Sequence, residues 1–146
     1  MKTAVYVFLA LLLVCLLIPA TAEGNAGTFT VAEPNPEATA EDYEGNWVCT
    51  YADIGGRLFE AESDLELLGM DSLLTLKIEN GTAAFTGLAE LGTDPLPLTF
   101  SEGNMCFMPE ENVTVFTLRL LQDGTVSMNF NMIEFGPTLY LFPSEA

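Results

Sequence analysis

Carboxylates are the side chains with which this sequence could most readily do chemistry. Asp53, Glu60, Glu62, Asp64 and Glu66 lie in one short stretch, and paired carboxylates can hydrolyse glycosides. All five fall in the loop and short helix predicted after the first strand, and a substrate groove rarely fits a barrel as small as the one predicted below. We therefore predict no catalytic residue and a protein that is not an enzyme.

The absence of histidine removes most other catalytic devices. The chain has no histidine, so it has no Ser-His-Asp or Cys-His pair and no imidazole to act as a base near neutral pH. Ser63 and Ser72 have no histidine nearby in the sequence, and Lys77 is most simply a solvated strand residue. No Cys-x-x-Cys pair or calcium-loop pattern occurs either. The sequence accordingly predicts no metal site and no cofactor.

The composition indicates one acidic globular domain. The 146 residues contain 21 Asp plus Glu against 4 Lys plus Arg, for a formal net charge of −17, and 49% are hydrophobic. This apolar content is enough for a packed core despite the charge. A strongly acidic surface repels phosphate backbones, which excludes nucleic acid as the expected partner.

Residues 1–22 have the pattern of a secretory signal peptide. Lys2 supplies a positive charge, residues 4–18 are uncharged and apolar, and Ala20-Thr21-Ala22 is a small-x-small cleavage sequence. We predict cleavage after Ala22. The apolar run is shorter than the about 20 residues of a membrane-spanning helix. We therefore expect a secreted or cell-envelope protein with no membrane span after cleavage; an uncleaved anchor is the alternative.

Residues 23–45 form an acidic leader to the domain. They contain six acidic residues, two prolines and no basic residue. Pro34 and Pro36 oppose a helix, and apolar residues are sparse, so we predict a flexible spacer. The folded domain is predicted over residues 46–146.

Short alternating segments separated by turn residues fill that domain. Trp47, Cys49 and Tyr51 share one face of a predicted first strand. Asn80-Gly81 and Asp123-Gly124 each separate two alternating runs, which is the sequence signal of a hairpin. About eight such strands, nearly all joined by short turns, predict an all-β fold.

One short helix and the strand connections define the predicted architecture. Ala61, Leu65 and Leu68 recur at helical spacing before Gly69, which predicts a short helix after the first strand. A parallel sheet would need a crossover for every strand pair. A sheet of sequential antiparallel strands can bury its apolar face by closing into a barrel. We therefore predict an up-and-down antiparallel barrel of about eight strands with one short helix.

The succession of motifs resembles a known family. Gly45-Asn46-Trp47 is similar to the Gly-x-Trp that begins lipocalin barrels. The order YEGNW, LLGMDSLLTLKIENGTAAF and DGTVSMNF resembles small lipocalin-like domains in exported proteins of Gram-positive gut bacteria. The resemblance covers about residues 43–142. It implies a lipocalin-like barrel and export, in a family that is itself largely uncharacterised.

The interior of such a barrel is the candidate site. The residues predicted to face it are Trp47, Tyr51, Leu76, Phe85, Phe100, Phe107, Phe116, Leu118, Met128, Phe130 and Met132. Eight-stranded barrels hold either packed side chains or one small ligand. These residues could line a pocket for a small lipophilic molecule, or they could be the core that so small a domain needs.

Cys49 and Cys106 remain after signal cleavage. Two cysteines in an exported protein suggest a disulfide. The alternative is two small hydrophobic side chains with free thiols.

We expect a monomeric, non-catalytic binding protein. Its two alternative roles are binding a lipophilic molecule in the barrel, or acting as an inhibitor-like or adhesin-like module that binds another protein through its acidic exterior.

Overall fold

The predicted all-β fold is confirmed. A computed structural model describes residues 30–62, 72–86, 95–131 and 137–144. Its ten strands form a single antiparallel sheet. They are β1 (Gly45–Ile54), β2 (Arg57–Glu60), β3 (Thr75–Glu79), β4 (Thr82–Thr86), β5 (Leu96–Pro97), β6 (Thr99–Ser101), β7 (Asn104–Phe107), β8 (Phe116–Leu120), β9 (Val126–Phe130) and β10 (Thr138–Ser144).

The sheet curls into a nearly closed barrel. Its order is β5-β4-β3-β1-β10-β9-β8-β7-β6, with β2 paired to the second half of β1. The two ends of this order, β5 and β6, follow one another along the chain and are separated only by Leu98. The segment from Leu96 to Ser101 therefore pairs with β4 through its first part and with β7 through its last part. Counting that segment once gives eight positions around the ring, as predicted.

Both predicted hairpins are present, and each turn contains residues suited to positive φ. Asn80 (φ 52°) and Gly81 (φ 74°) connect β3 to β4. Gly124 (φ 86°) completes the turn between β8 and β9, where Asp123 accepts hydrogen bonds from the backbone N–H and the hydroxyl of Thr125. Glycine and asparagine tolerate this backbone region better than other residues.

The long strand β1 contains a β-bulge. Cys49 lies opposite Leu141 of β10, but the next paired residue is Tyr51, opposite Tyr140. The residue between them, Thr50, is extra, and such an insertion shifts the alternation of side chains by one. Trp47, Cys49 and Ala52 are consequently all buried in the core.

The chain before β1 lies against one end of the barrel. The N–H of Asn35 donates to the carbonyl of Leu120 (2.9 Å), and the N–H of Gln122 donates to that of Glu33 (2.8 Å). A 3-10 helix, Ala40–Tyr43, follows and leads directly into β1. The predicted spacer, residues 23–45, includes this segment, and from Glu33 onward it is attached to the barrel.

The described residues contain a short 3-10 helix beside β1. The 3-10 helix precedes β1, whereas the helical spacing of Ala61, Leu65 and Leu68 follows it. Ala61 is buried; Leu65, Leu68 and Gly69 lie outside the described residues. Over the described ranges, no helix is long and apolar enough to cross a membrane.

We predict that Gly81→Ala destabilises the protein by about 1 kcal/mol, because alanine is strained at φ 74°. The matched change Asn80→Gly, at the neighbouring positive-φ residue, should alter the free energy of unfolding by less than about 0.5 kcal/mol. Urea unfolding measures both. Equal effects of the two substitutions would contradict the turn geometry.

Candidate functional site: the barrel interior and its closed end

Most of the residues predicted to face the interior do so. Eight of the eleven are buried within one hydrophobic cluster that draws on nearly every strand. They are Trp47, Leu76, Phe85, Phe107, Phe116, Leu118, Met128 and Phe130.

Four large side chains fill the part of the interior that surrounds them. Phe107, Phe116, Leu118 and Met128 have 0% of their surface exposed. A void that could hold even one water molecule would expose the side chains lining it, so no such void touches these four residues.

Aromatic rings pack across the width of the barrel. The ring centre of Phe116 on β8 lies 5.7 Å from that of Phe85 on β4 and 5.5 Å from that of Phe107 on β7. These distances are those of direct ring contact. Because β4 and β8 are not neighbours in the sheet, the contact between Phe85 and Phe116 crosses the interior.

Tyr51 corrects the predicted lining. It was expected on the inner face with Trp47 and Cys49, but the bulge at Thr50 turns it to the outer face. There it is half-buried, and its ring meets that of Phe142 edge to face, with centres 5.8 Å apart. The alternation of inward and outward side chains therefore breaks after Cys49, because the bulge adds one residue to β1.

Phe100 also differs from expectation. It lies opposite the buried Met105 and is on the inner face, yet 41% of its surface is exposed. It belongs to the part of the strand that extends past Leu98, where β4 no longer pairs with it. Met132, the last predicted lining residue, lies outside the described residues.

Cys49 and Cys106 are not joined to each other by a disulfide. Cys49 is in the core, as a small hydrophobic residue, and Cys106 alternates with the buried Met105 and Phe107, which places it on the outer face of β7. Its sulfur lies 3.8 Å from the hydroxyl oxygen of Thr117 on β8. A disulfide is not formed, because the two side chains lie on opposite faces of the barrel wall and three strands separate β1 from β7.

One end of the barrel is closed by Tyr43. This residue is fully buried, and its hydroxyl donates to the carbonyl of Gly103 (2.6 Å) and accepts from the N–H of Leu120 (2.8 Å). The carbonyl of Tyr43 in turn accepts a hydrogen bond from the indole N–H of Trp47 (2.9 Å). A single side chain thus joins the segment before β1 to the ends of β7 and β8.

The sequence contains a signal for this closing segment. Thr39 and Asp42 have the spacing of a capping box, which marks the start of a helix. In the structure the N–H of Thr39 donates to the Asp42 carboxylate (2.8 Å), and so does the Thr39 hydroxyl (3.1 Å). The hydrogen bonds of Tyr43 reach 60 and 77 residues along the chain, and no local pattern predicts partners at that distance.

Acidic side chains surround the closed end. The closing segment, the hairpin turns and the adjoining strand ends contribute eight of them: Glu33, Glu37, Glu41, Asp42, Glu44, Glu79, Glu102 and Asp123. All eight are exposed. Among the described residues, the basic ones at this end are Lys77, which pairs with Glu79 (3.2 Å), and the half-buried Arg119. This end therefore has a strong excess of negative charge.

Three of the five carboxylates considered for catalysis are described, and they lie away from the closed end. Asp53 accepts a hydrogen bond from the N–H of Gly56 (3.0 Å) and so supports the β1–β2 turn. Glu60 ends β2 and Glu62 is exposed beyond it, while Asp64 and Glu66 lie outside the described residues. Within the described ranges, no group of three or more Cys, Asp or Glu residues is arranged to hold a metal ion.

Comparisons with family models, with curated proteins and with solved structures found no match to this chain.

We predict that Tyr43→Phe lowers the free energy of unfolding by about 1–3 kcal/mol, since it leaves the buried N–H of Leu120 without its acceptor. Tyr43→Ala should cost more, about 3–5 kcal/mol, because the ring is also lost. Chemical denaturation of both variants separates the hydroxyl from the ring. A Tyr43→Phe protein as stable as the wild type would contradict this role.

We predict that stability falls in alkaline solution. Burial raises the pKa of Tyr43, opposed by the Leu120 hydrogen bond and the Arg119 charge; burial and the Asp53 charge raise that of Tyr140. A raised pKa in the folded state means that folding favours the neutral phenol. The resulting stabilisation is complete below the ordinary tyrosine pKa of about 10, and it is lost as the pH rises from there through the raised pKa. Unfolding free energies measured against pH should show this decline, and it should be shallower in Tyr43→Phe. An identical pH profile for the two proteins would contradict it.

Proposed function

We propose that this protein is an exported, non-catalytic binding protein that uses its barrel as a filled scaffold and contacts a protein partner through its outer surface. The observation that carries the proposal is the packed interior. Phe107, Phe116, Leu118 and Met128 have no exposed surface, and aromatic rings meet across the barrel. A ligand-binding barrel keeps an accessible cavity among such residues.

The charge of the closed end supports a basic partner. Eight exposed carboxylates there face outward with few basic residues to offset them. A surface of one charge sign steers an oppositely charged protein towards it and raises the rate of association. Because steering between exposed charges is screened by salt, the interaction should weaken as ionic strength rises.

Binding of a small lipophilic molecule is the alternative function. It draws support from the resemblance to lipocalin-like domains and from the apolar character of the interior. It would require the core side chains to move apart, since the four fully buried residues leave no room among them as they stand. Export through the predicted signal at residues 1–22 is common to both functions.

A titration with a hydrophobic fluorophore distinguishes the two. We expect the wild-type protein to show no saturable binding at micromolar concentrations. Leu118→Ala, which removes a large side chain from the core, is the matched positive control: it should create a cavity, bind the fluorophore and lose about 2–5 kcal/mol of stability.

Two outcomes would change this conclusion. Saturable binding by the wild type, reduced by Leu118→Trp, would contradict the filled scaffold and favour the lipophilic ligand. Failure to recover any salt-sensitive protein partner from cell-envelope extract, with the fluorophore also unbound, would contradict the interaction function.

A further inference from the structure

Strand β6 has an edge at the closed end that pairs with no other described residue. On one side Thr99, Phe100 and Ser101 pair with β7. On the other side, the neighbouring strand β4 pairs only as far as Pro97. The last hydrogen bond on that side is donated by the N–H of Leu98 to the carbonyl of Gly81 (2.8 Å). Beyond it, β6 projects past the β3–β4 hairpin.

The hairpin geometry shows which backbone groups this edge presents. The turn Glu102-Gly103 has positive φ at both residues (52° and 83°), as in a two-residue hairpin, so Ser101 and Asn104 form its closing hydrogen-bonded pair. Alternation then directs the N–H and C=O of Phe100 away from β7. The Leu98 N–H points the same way and does reach Gly81. Among the described residues, no hydrogen bond to the Phe100 backbone is present.

The side chain of Phe100 is exposed at the same place. One side of its ring meets Tyr43 edge to face, with centres 6.5 Å apart, and 41% of its surface is exposed. Thr99 and Ser101 are exposed as well. An exposed aromatic ring beside unpaired backbone groups is an arrangement to which an extended peptide can add as a further strand.

Two carboxylates flank this edge. Glu102 follows β6 directly and is exposed. Glu44 follows Tyr43 in the chain, and its carboxylate accepts a hydrogen bond from the N–H of Asn80 (3.0 Å), which holds it beside the hairpin that borders the edge. Among the described residues, neither is in an ion pair with a basic side chain. A lysine or arginine arriving here would meet a carboxylate and the face of an aromatic ring together.

We propose that the free edge of β6 docks an extended, basic segment of the partner protein. The segment would pair with the backbone of Phe100, cover its ring and set a lysine or arginine against Glu44 and Glu102. This inference rests on the proposed function and gives it a location and a partner chemistry.

Charge argues against a second copy of this chain as the occupant. Each copy carries a formal net charge of −17, and joining two β6 edges would bring Glu44 and Glu102 of each against those of the other. Like charges in cross-strand contact are destabilising. The same carboxylates that favour a basic strand therefore protect this edge from self-association.

A synthetic peptide that alternates lysine and valine is a direct probe. Titrated into the purified protein, it should bind and should slow hydrogen exchange of the Phe100 amide, which has no hydrogen-bond partner among the described residues of the free protein. The same peptide with glutamate in place of lysine, and one with proline in place of valine, should not bind.

Variants test the location. Phe100→Ala should weaken binding of the lysine–valine peptide roughly tenfold, and Glu44→Gln or Glu102→Gln about threefold each. Two substitutions near the other end of the barrel are matched controls: Met108→Ala, which truncates another exposed apolar side chain (37%), and Glu110→Gln. Both should leave binding unchanged.

The outcomes separate this inference from the proposed function. Equal weakening by the control and test variants would mean general attraction to an acidic protein, and it would overturn the docking site while leaving the proposed function standing. A dimer detected by analytical ultracentrifugation and dissociated by Phe100→Ala would overturn it in favour of a second copy. The absence of peptide binding at millimolar concentration would also overturn it. Protection of the Phe100 amide confined to the lysine–valine peptide would support it.

Discussion

Closure of the sheet by the segment from Leu96 to Ser101 is the constraint on which the rest of the structure depends. An open sheet leaves two rows of unpaired backbone groups, and here one short segment pairs with β4 and then with β7, so that the two edges become neighbours in the chain. At the closed end of the barrel the two edges do not pair completely, because the β3–β4 hairpin stops at Gly81 while β6 continues. The exposed ring of Phe100 is a direct consequence of that difference in length.

Closing the ring also decides what the interior can be. Inward-facing side chains from eight positions converge on a small volume, and the rings of Phe85, Phe107 and Phe116 meet within it. A domain of this size needs nearly all its large apolar side chains for the core. Tyr43 then closes one end, with a hydroxyl that hydrogen-bonds to the β6–β7 turn and to β8. The proposed function accordingly uses the outer surface of the molecule.

Local patterns predicted the elements well where chain geometry alone sets them. Asn80-Gly81 and Asp123-Gly124 mark real turns, since positive φ restricts the residues that can occupy them. Alternation gave the correct face for Phe100 and for the eight buried interior residues. It failed at Tyr51, where a bulge adds one residue and inverts the faces. The Ala61–Gly69 pattern lies mostly outside the described residues, so it stays a prediction.

The sequence by itself determined the all-β class, the hairpins and most of the inward-facing set, because these follow from periodicity and turn chemistry within a few residues. Only the tertiary structure decided that Phe107, Phe116, Leu118 and Met128 pack with no exposed surface, that Cys49 and Cys106 lie on opposite faces, and that the segment before β1 packs on the barrel. Each of these depends on which residues meet after the sheet has closed. The partners of the Tyr43 hydroxyl, Gly103 and Leu120, are brought to it by closure, not by their place in the chain.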